Sequence, residues 1–155
     1  MDVKRRWPEL AMMLTGGASI AFALLGLWYN SSTIFDGYFK FGTQEPESEE
    51  FYAIFYFMSS ICLGFFLALV VTGVQLIRRK IGWAFGLLAV VVLECMYVLA
   101  VGSMWRHPTL GHNIAAASGI SSGGLSFQLL ALFPLWGPAI ALWSRAKLAR
   151  KDNRV

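Results

Sequence analysis

The sequence predicts an all-α integral membrane protein, a left-handed bundle of four transmembrane helices that forms one domain over residues 1–155. The chain is 57% hydrophobic and only 14% charged, which is too apolar for an ordinary soluble domain. Four apolar segments hold the excess, and about 20 helical residues suffice to cross ~30 Å of hydrocarbon. Backbone groups in a bilayer must be hydrogen-bonded internally, so each segment is expected to be a helix. The predicted helices span 7–29, 51–77, 81–105 and 125–143.

Two outer loops and one short inner turn connect these segments. The first loop, 30–50, contains Asp36-Gly37 between aromatic residues, which predicts a short β-hairpin because both central residues of a type I′ turn need positive φ. The second loop, 106–124, is rich in glycine and serine. Only residues 78–80 separate the second and third segments, so these helices are expected to form a tight antiparallel pair.

Basic residues predict the orientation in the membrane. Eleven of the thirteen Lys and Arg residues fall on the side of the amino terminus, and only Lys40 and Arg106 fall opposite. This asymmetry predicts that both termini are cytoplasmic, in a plasma membrane or a bacterial inner membrane. The net charge of +4 then reflects topology and contact with anionic lipid headgroups, and no nucleic-acid partner is needed to explain it. The basic tail, 144–155, is expected to continue the fourth helix.

Small residues and prolines predict where helices pack and bend. Small residues let membrane helices approach closely, and a proline inside a helix removes a backbone hydrogen bond and bends it. Gly17 and Ala21 are small residues of the first helix. The other packing candidates are Ser60, Gly64, Ala68 and Thr72 on the second helix, Gly82 and Gly86 on the third, and the bend-forming Pro134 and Pro138 on the fourth.

Glu94 is a carboxyl group near the middle of the third apolar segment. No lysine, arginine or histidine lies in any span, so the side chain is expected to be protonated and neutral. One interpretation is a hydrogen bond that clasps a neighbouring helix, with Ser19, Ser59, Ser60 or the Leu130 carbonyl as partner. The other is a coupling group for proton or cation transport. On a helical projection its face includes Trp83, Tyr97 and Trp105.

Several chemistries find no support in the sequence. The only histidines, His107 and His112, lie in the second outer loop, which disfavours haem ligation within the bundle and leaves them weak candidates for a metal. Cys62 and Cys95 both fall inside helices and form no CxxC motif. No nucleophile–base constellation or nucleotide-binding loop occurs. We therefore expect no cofactor and no catalysis.

The chain resembles the claudin/peripheral myelin protein superfamily of tetraspan proteins. The likeness covers the topology and a few short motifs: Gly26-Leu27-Trp28, Arg106-His107-Pro108, Ser126-Phe127 and Phe133-Pro134-Leu135. The cysteine pair of that superfamily's first outer loop is absent here. The resemblance implies adhesion, membrane organisation or an auxiliary-subunit role without catalysis.

Taken together, the residues predict a non-catalytic protein that packs laterally, as a homo-oligomer or as a subunit of a larger membrane complex. The alternative is a small oligomeric transporter or channel, coupled to protons or cations, that uses Glu94.

Overall fold

The structure, a computed structural model, describes residues 6–41, 49–105, 129–130 and 132–152. The described residues form helices and turns and contain no strand. The four helices are α1 (Trp7–Phe41), α2 (Glu49–Ile77), α3 (Trp83–Trp105) and α4 (Phe133–Asp152). The predicted all-α class is confirmed for this part of the chain, and the bounds of α2 and α3 lie within two residues of prediction, as helix ends commonly do.

The predicted β-hairpin at Asp36-Gly37 is wrong. Both residues lie inside α1, which continues twelve residues beyond the predicted end at 29. Extending an existing helix adds one hydrogen bond for each residue that is fixed. A lone two-stranded hairpin is marginally stable in water, so turn propensity at two positions does not interrupt the helix. Residues 42–48 of the predicted first loop lie outside the described part.

The fourth helix continues nine residues beyond the carboxyl end of its predicted span of 125–143, of which residues 125–128 and 131 lie outside the described part. Residues 129–130 are helical, α4 begins at Phe133 and it continues to Asp152, which confirms that the basic tail extends this helix. Pro134 is the second residue of α4, where a missing N–H costs little. Pro138 lies inside the helix and cannot donate to the carbonyl four residues earlier, so only this proline interrupts the ladder of α4.

The helices form a ring in which every neighbour is antiparallel. Helix α1 contacts α2 and α4, and α3 contacts the same two helices. Thr72 of α2 meets Gly86 of α3, and the Arg145 guanidinium of α4 covers the Phe85 ring of α3. One end of the bundle, called here the basic end, therefore contains the start of α1, the end of α2, the start of α3 and the end of α4. Its described basic residues include Arg6, Arg78, Arg79, Lys80, Arg145, Lys147 and Arg150.

The core of the bundle is apolar and continuous. Phe133 is fully buried, with its ring centroid 5.6 Å from that of Phe22 on α1 and 5.1 Å from that of Trp136. All four helices contribute buried apolar side chains: Met12, Ala23, Leu69, Leu76, Ala84, Leu87, Val91, Phe133 and Ala141.

Helix α2 ends at the basic end in a Schellman motif. The Arg79 N–H donates to the Leu76 carbonyl at 2.9 Å and the Lys80 N–H to the Gln75 carbonyl at 3.0 Å, the two bonds of this motif. Arg79 occupies the left-handed position at φ 60°, where glycine is usual. Its guanidinium also pairs with Glu9 of α1 at 3.2 Å, which ties this turn to the first helix.

Candidate functional site

Glu94 faces the interior of the bundle. It follows the buried Val91 by three residues and the buried Leu87 by seven, so all three share one helical face. The Glu94 side chain is half-buried, and its Oε2 atom is buried without a hydrogen-bond partner among the described residues. A buried acceptor without a partner costs free energy, which makes this carboxyl group the first candidate for a functional role.

A small polar group surrounds Glu94 between α2 and α3. The side chains of Cys62 and Tyr97 share a hydrogen bond, and the Tyr97 ring centroid lies 5.7 Å from that of Phe65. The Glu94 carboxyl group lies close to the thiols of Cys62 and Cys95. The structure therefore brings Tyr97 to the same level of the bundle as Glu94, as predicted, together with Cys62 and Cys95, which the sequence did not link to Glu94.

The partners expected for the Glu94 carboxyl group are mostly engaged elsewhere or not described. The Ser19 hydroxyl donates to the Leu69 carbonyl at 2.9 Å and bridges α1 to α2, so the predicted bond from Glu94 to Ser19 is absent. Ser60 is exposed, and the Ser59 side chain lies outside the described part. Among the described residues, the Glu94 Oε2 atom forms no hydrogen bond to another helix of the chain.

The two tryptophans predicted beside Glu94 belong to other levels of the bundle. Trp83 begins α3, eleven residues or about 16 Å from Glu94. Its ring lies over Gly86, with Cε3 3.1 Å from where a Cβ on that glycine would be. Trp105 ends α3 at the opposite end, and its side chain lies outside the described part. The helical projection places both tryptophans on the same face of α3 as Glu94. The distance along the helix axis between Trp83 and Glu94 nevertheless keeps Trp83 out of the site.

The predicted packing residues divide into buried and open positions. The Thr72 Cγ2 lies 3.6 Å from a Cβ built on Gly86, and the Thr72 hydroxyl donates to the Ala68 carbonyl at 2.8 Å. By contrast, a Cβ on Gly64 or Gly82 would meet nothing within 4 Å. Gly64 and Gly82 are exposed, as is Ser60, and the two glycines make no close helix contact within the described part of the chain.

The close crossing of α1 and α2 uses residues that the sequence analysis missed. A Cβ on Gly16 would lie 2.6 Å from the Gly73 carbonyl oxygen, and one on Gly73 would lie 2.6 Å from the Gly16 carbonyl oxygen. Gly17 and Ala21, the candidates named for α1, are exposed. The adjacent Gly16-Gly17 pair indicates a close approach of helices. Which of the two glycines faces the neighbouring helix could not be predicted from the sequence of α1 alone.

Large apolar side chains are exposed on all four helices. Examples are Leu14 at 64% exposed on α1, Leu67 at 58% on α2, Leu93 at 56% on α3 and Leu135 at 76% on α4. Within the described residues, Trp7–Trp28 and Ser60–Ile77 are long and apolar enough to cross a membrane, and Trp83–Tyr97 is a shorter apolar segment. A helix that is apolar all round is typical of a buried or membrane environment.

The described residues contain no group of three or more His, Cys, Asp and Glu side chains that could hold a metal ion. His107 and His112 lie outside the described residues. Comparison of the chain with protein-family models, with curated proteins and with solved structures finds no match. The resemblance to the claudin/peripheral myelin protein superfamily therefore remains an expectation from the sequence.

Proposed function

We propose that this chain is a four-span integral membrane protein, a left-handed bundle that acts without catalysis by packing laterally in the bilayer. It works as a homo-oligomer or as an auxiliary subunit of a larger membrane complex. The observation that carries the proposal is the exposure of large apolar side chains around the whole bundle. Removing such a side chain from water is worth about 1.5–3 kcal/mol, so lipid or protein has to cover these surfaces.

Tryptophan positions support a membrane of ordinary thickness. Trp7 and Trp28 are both exposed on α1, and the 21 helical steps from one to the other rise about 32 Å, close to the ~30 Å hydrocarbon layer. Trp83 and Trp143 are exposed toward the basic end of α3 and α4. Tryptophan is enriched at both membrane interfaces, so this arrangement agrees with one interface at the basic end and one near Trp28.

The charge distribution supports cytoplasmic termini. The described basic residues at the start of α1, in the α2–α3 turn and in the second half of α4 all lie at the basic end. Cytoplasmic loops carry the excess of Lys and Arg, and the cytoplasmic leaflet attracts them through its anionic lipids. In this orientation the α2–α3 turn and the end of α4 lie at the cytoplasmic surface.

Exposed small residues on α2 indicate which surface of the bundle packs laterally. Gly64 is exposed with open space above it, and Ser60 lies one turn away on the same face. Small residues favour helix association in lipid because backbones approach closely. The likeness to a tetraspan superfamily of adhesion and membrane-organising proteins agrees with this class of function.

The test compares particle mass in mild detergent for the wild type, Gly64→Leu and Leu93→Trp. Lateral packing through the α2 face predicts a species above monomer mass that Gly64→Leu reduces. The control Leu93→Trp enlarges an exposed residue on α3 and leaves that species unchanged. A strictly monomeric wild-type protein would contradict the proposal, as would equal effects of the two substitutions.

Glu94 supports a second candidate function, a small oligomeric transporter or channel coupled to protons or cations. The favouring observation is the buried Oε2 atom, which has no hydrogen-bond partner among the described residues, since intramembrane carboxyl groups often mark ion pathways. In reconstituted vesicles, Glu94→Gln keeps a hydrogen-bonding group but cannot titrate, so coupled flux would be lost. Glu9→Gln, which removes an acid at the basic end, is the matched control; flux that persists in Glu94→Gln rules this candidate out.

A further inference from the structure

A groove of about 450 Å³ runs between α3 and α4, and apart from the Cys95 thiol every residue that lines it is a hydrocarbon, proline or methionine side chain. Leu88 and Val92 form part of the α3 wall, and Pro138 and Leu142 form part of the α4 wall. The groove is open to the surroundings, so its contents are exchangeable. Its largely apolar walls fit a hydrocarbon chain better than a polar solute.

A cation lies at the end of this groove. Phe85 precedes Leu88 by three residues and Arg145 follows Leu142 by three, so both lie one turn further along the same faces. The Arg145 guanidinium carbon is 4.1 Å from the Phe85 ring centroid, which holds the side chain across the gap between the two helices. The groove thus leads from the bundle centre to a fixed guanidinium group at the basic end.

Arg145 has no acidic partner among the described residues. The ion pair that this part of the chain contains joins Arg79 to Glu9, and the Arg145 Nε atom is buried without a hydrogen-bond partner. A half-buried guanidinium group without a counter-charge is unfavourable. Guanidinium binds phosphate well through its planar fork of N–H donors.

We propose that the α3–α4 groove binds an anionic phospholipid, with its phosphate on Arg145 and one acyl chain along Leu88, Val92 and Leu142. The occupant follows from charge and shape together, because a cation at the mouth of an apolar groove matches an anionic headgroup above a hydrocarbon chain. This inference rests on the proposed membrane location. The phosphate end then lies at the basic end, where the cytoplasmic leaflet supplies anionic lipid.

The experiment is native mass spectrometry of the protein in mild detergent, titrated with phosphatidylglycerol or with phosphatidylcholine. Wild-type protein is expected to retain phosphatidylglycerol preferentially. Arg145→Gln should weaken that binding about tenfold, since a hydrogen bond to a charged group is worth about 1.5 kcal/mol or more. Arg145→Lys, which keeps the charge, should bind better than Arg145→Gln.

Two further variants control for charge and test the groove. Lys147→Gln removes the same charge from an exposed position on α4 and should bind like wild type. Ala139→Phe fills the groove from an exposed lining residue and should weaken binding while Arg145 is intact. Circular dichroism checks that each variant remains helical. If Arg145→Gln does not fold, lipid binding by Arg145→Lys is compared with that by the wild type instead.

Three results overturn the inference: equal retention of the two lipids, equal binding by Arg145→Gln and Lys147→Gln, or full competition by inorganic phosphate. A change in oligomer mass with Ala139→Phe, without a change in lipid binding, would show that a second copy occupies the groove instead. Extraction of wild-type membranes with alkaline carbonate separates the two proposals. Release of the chain from the membranes would contradict the proposed membrane location. Retention in the membranes, together with equal binding of the two lipids, would contradict only the lipid-binding inference.

Discussion

Gly16 of α1 and Gly73 of α2 cross with their backbones in direct contact, and each glycine occupies the space that a Cβ on the other helix would need. The distances are reciprocal, 2.6 Å from each built Cβ to the opposing carbonyl oxygen. The Ser19 hydroxyl, one turn from Gly16, donates to Leu69 across the same interface. This crossing therefore combines close backbone approach with a buried interhelical hydrogen bond.

Gly16→Ala is expected to destabilise the bundle by about 1–3 kcal/mol, because the opposing backbone cannot move aside as a flexible side chain would. The free energy of unfolding in detergent measures this. Gly64→Ala is the matched control, since a Cβ there meets open space and alanine favours helix over glycine. Equal losses for the two variants would contradict the tight crossing.

Ser19→Ala is expected to lower the free energy of unfolding by about 0.6–1 kcal/mol, the usual value of a hydrogen bond between membrane helices. Ser144→Ala serves as its counterpart, because the Ser144 hydroxyl is buried without a partner in the described part of the chain. Removing that hydroxyl is expected to be neutral or stabilising. Parallel thermal or denaturant unfolding of both variants checks the difference, and a larger loss for Ser144→Ala would refute it.

Glu94→Leu is expected to raise the stability of the monomer in detergent by about 1–3 kcal/mol, because it replaces a buried acceptor for which the described residues offer no partner. If the carboxyl group clasps a second copy, the same substitution should also reduce the oligomer. Unfolding and mass measurements on one sample separate these effects. A less stable monomer would mean that Glu94 has a partner within its own chain.

Arg79→Gly is expected to change stability by less than about 1 kcal/mol. Glycine relieves the left-handed backbone at φ 60°, while the variant loses an exposed ion pair to Glu9 worth about 0–1 kcal/mol. Glu9→Gln removes the ion pair alone, so the difference between the two variants isolates the backbone contribution. Denaturant unfolding would contradict this if Arg79→Gly were less stable than Glu9→Gln.

Apolar length and loop length were enough to predict the helices and the pairing of α2 with α3. Because the turn at 78–80 is so short, residues at nearly equal distances from it face each other, and Thr72–Gly86 and Cys62–Tyr97 are such pairs. The Cys62–Tyr97 contact could thus have been predicted from register. The position of this contact beside Glu94 could not have been predicted, because the sequence does not show how far side chains on separate helices lie from one another.

The errors arose where a local pattern was read without its tertiary neighbours. Asp36-Gly37 favours a turn, yet helix propagation continues through it in α1. The four-residue spacing from Ser60 to Thr72 marks one face of α2, but only its Thr72 end meets α3. Trp83 shares a helical phase with Glu94 and is separated from it by three turns, a distance that a helical projection does not show.

The most direct test of the membrane account is the labelling of single cysteines in intact cells with a membrane-impermeant maleimide, after Cys62 and Cys95 are replaced by alanine. Lys80→Cys marks the basic end in the α2–α3 turn, and Lys40→Cys marks the far end of α1. The account predicts that Lys40→Cys is labelled in intact cells and that Lys80→Cys is labelled only after permeabilisation. Labelling of Lys80→Cys in intact cells, or recovery of the protein in the soluble fraction, would contradict it.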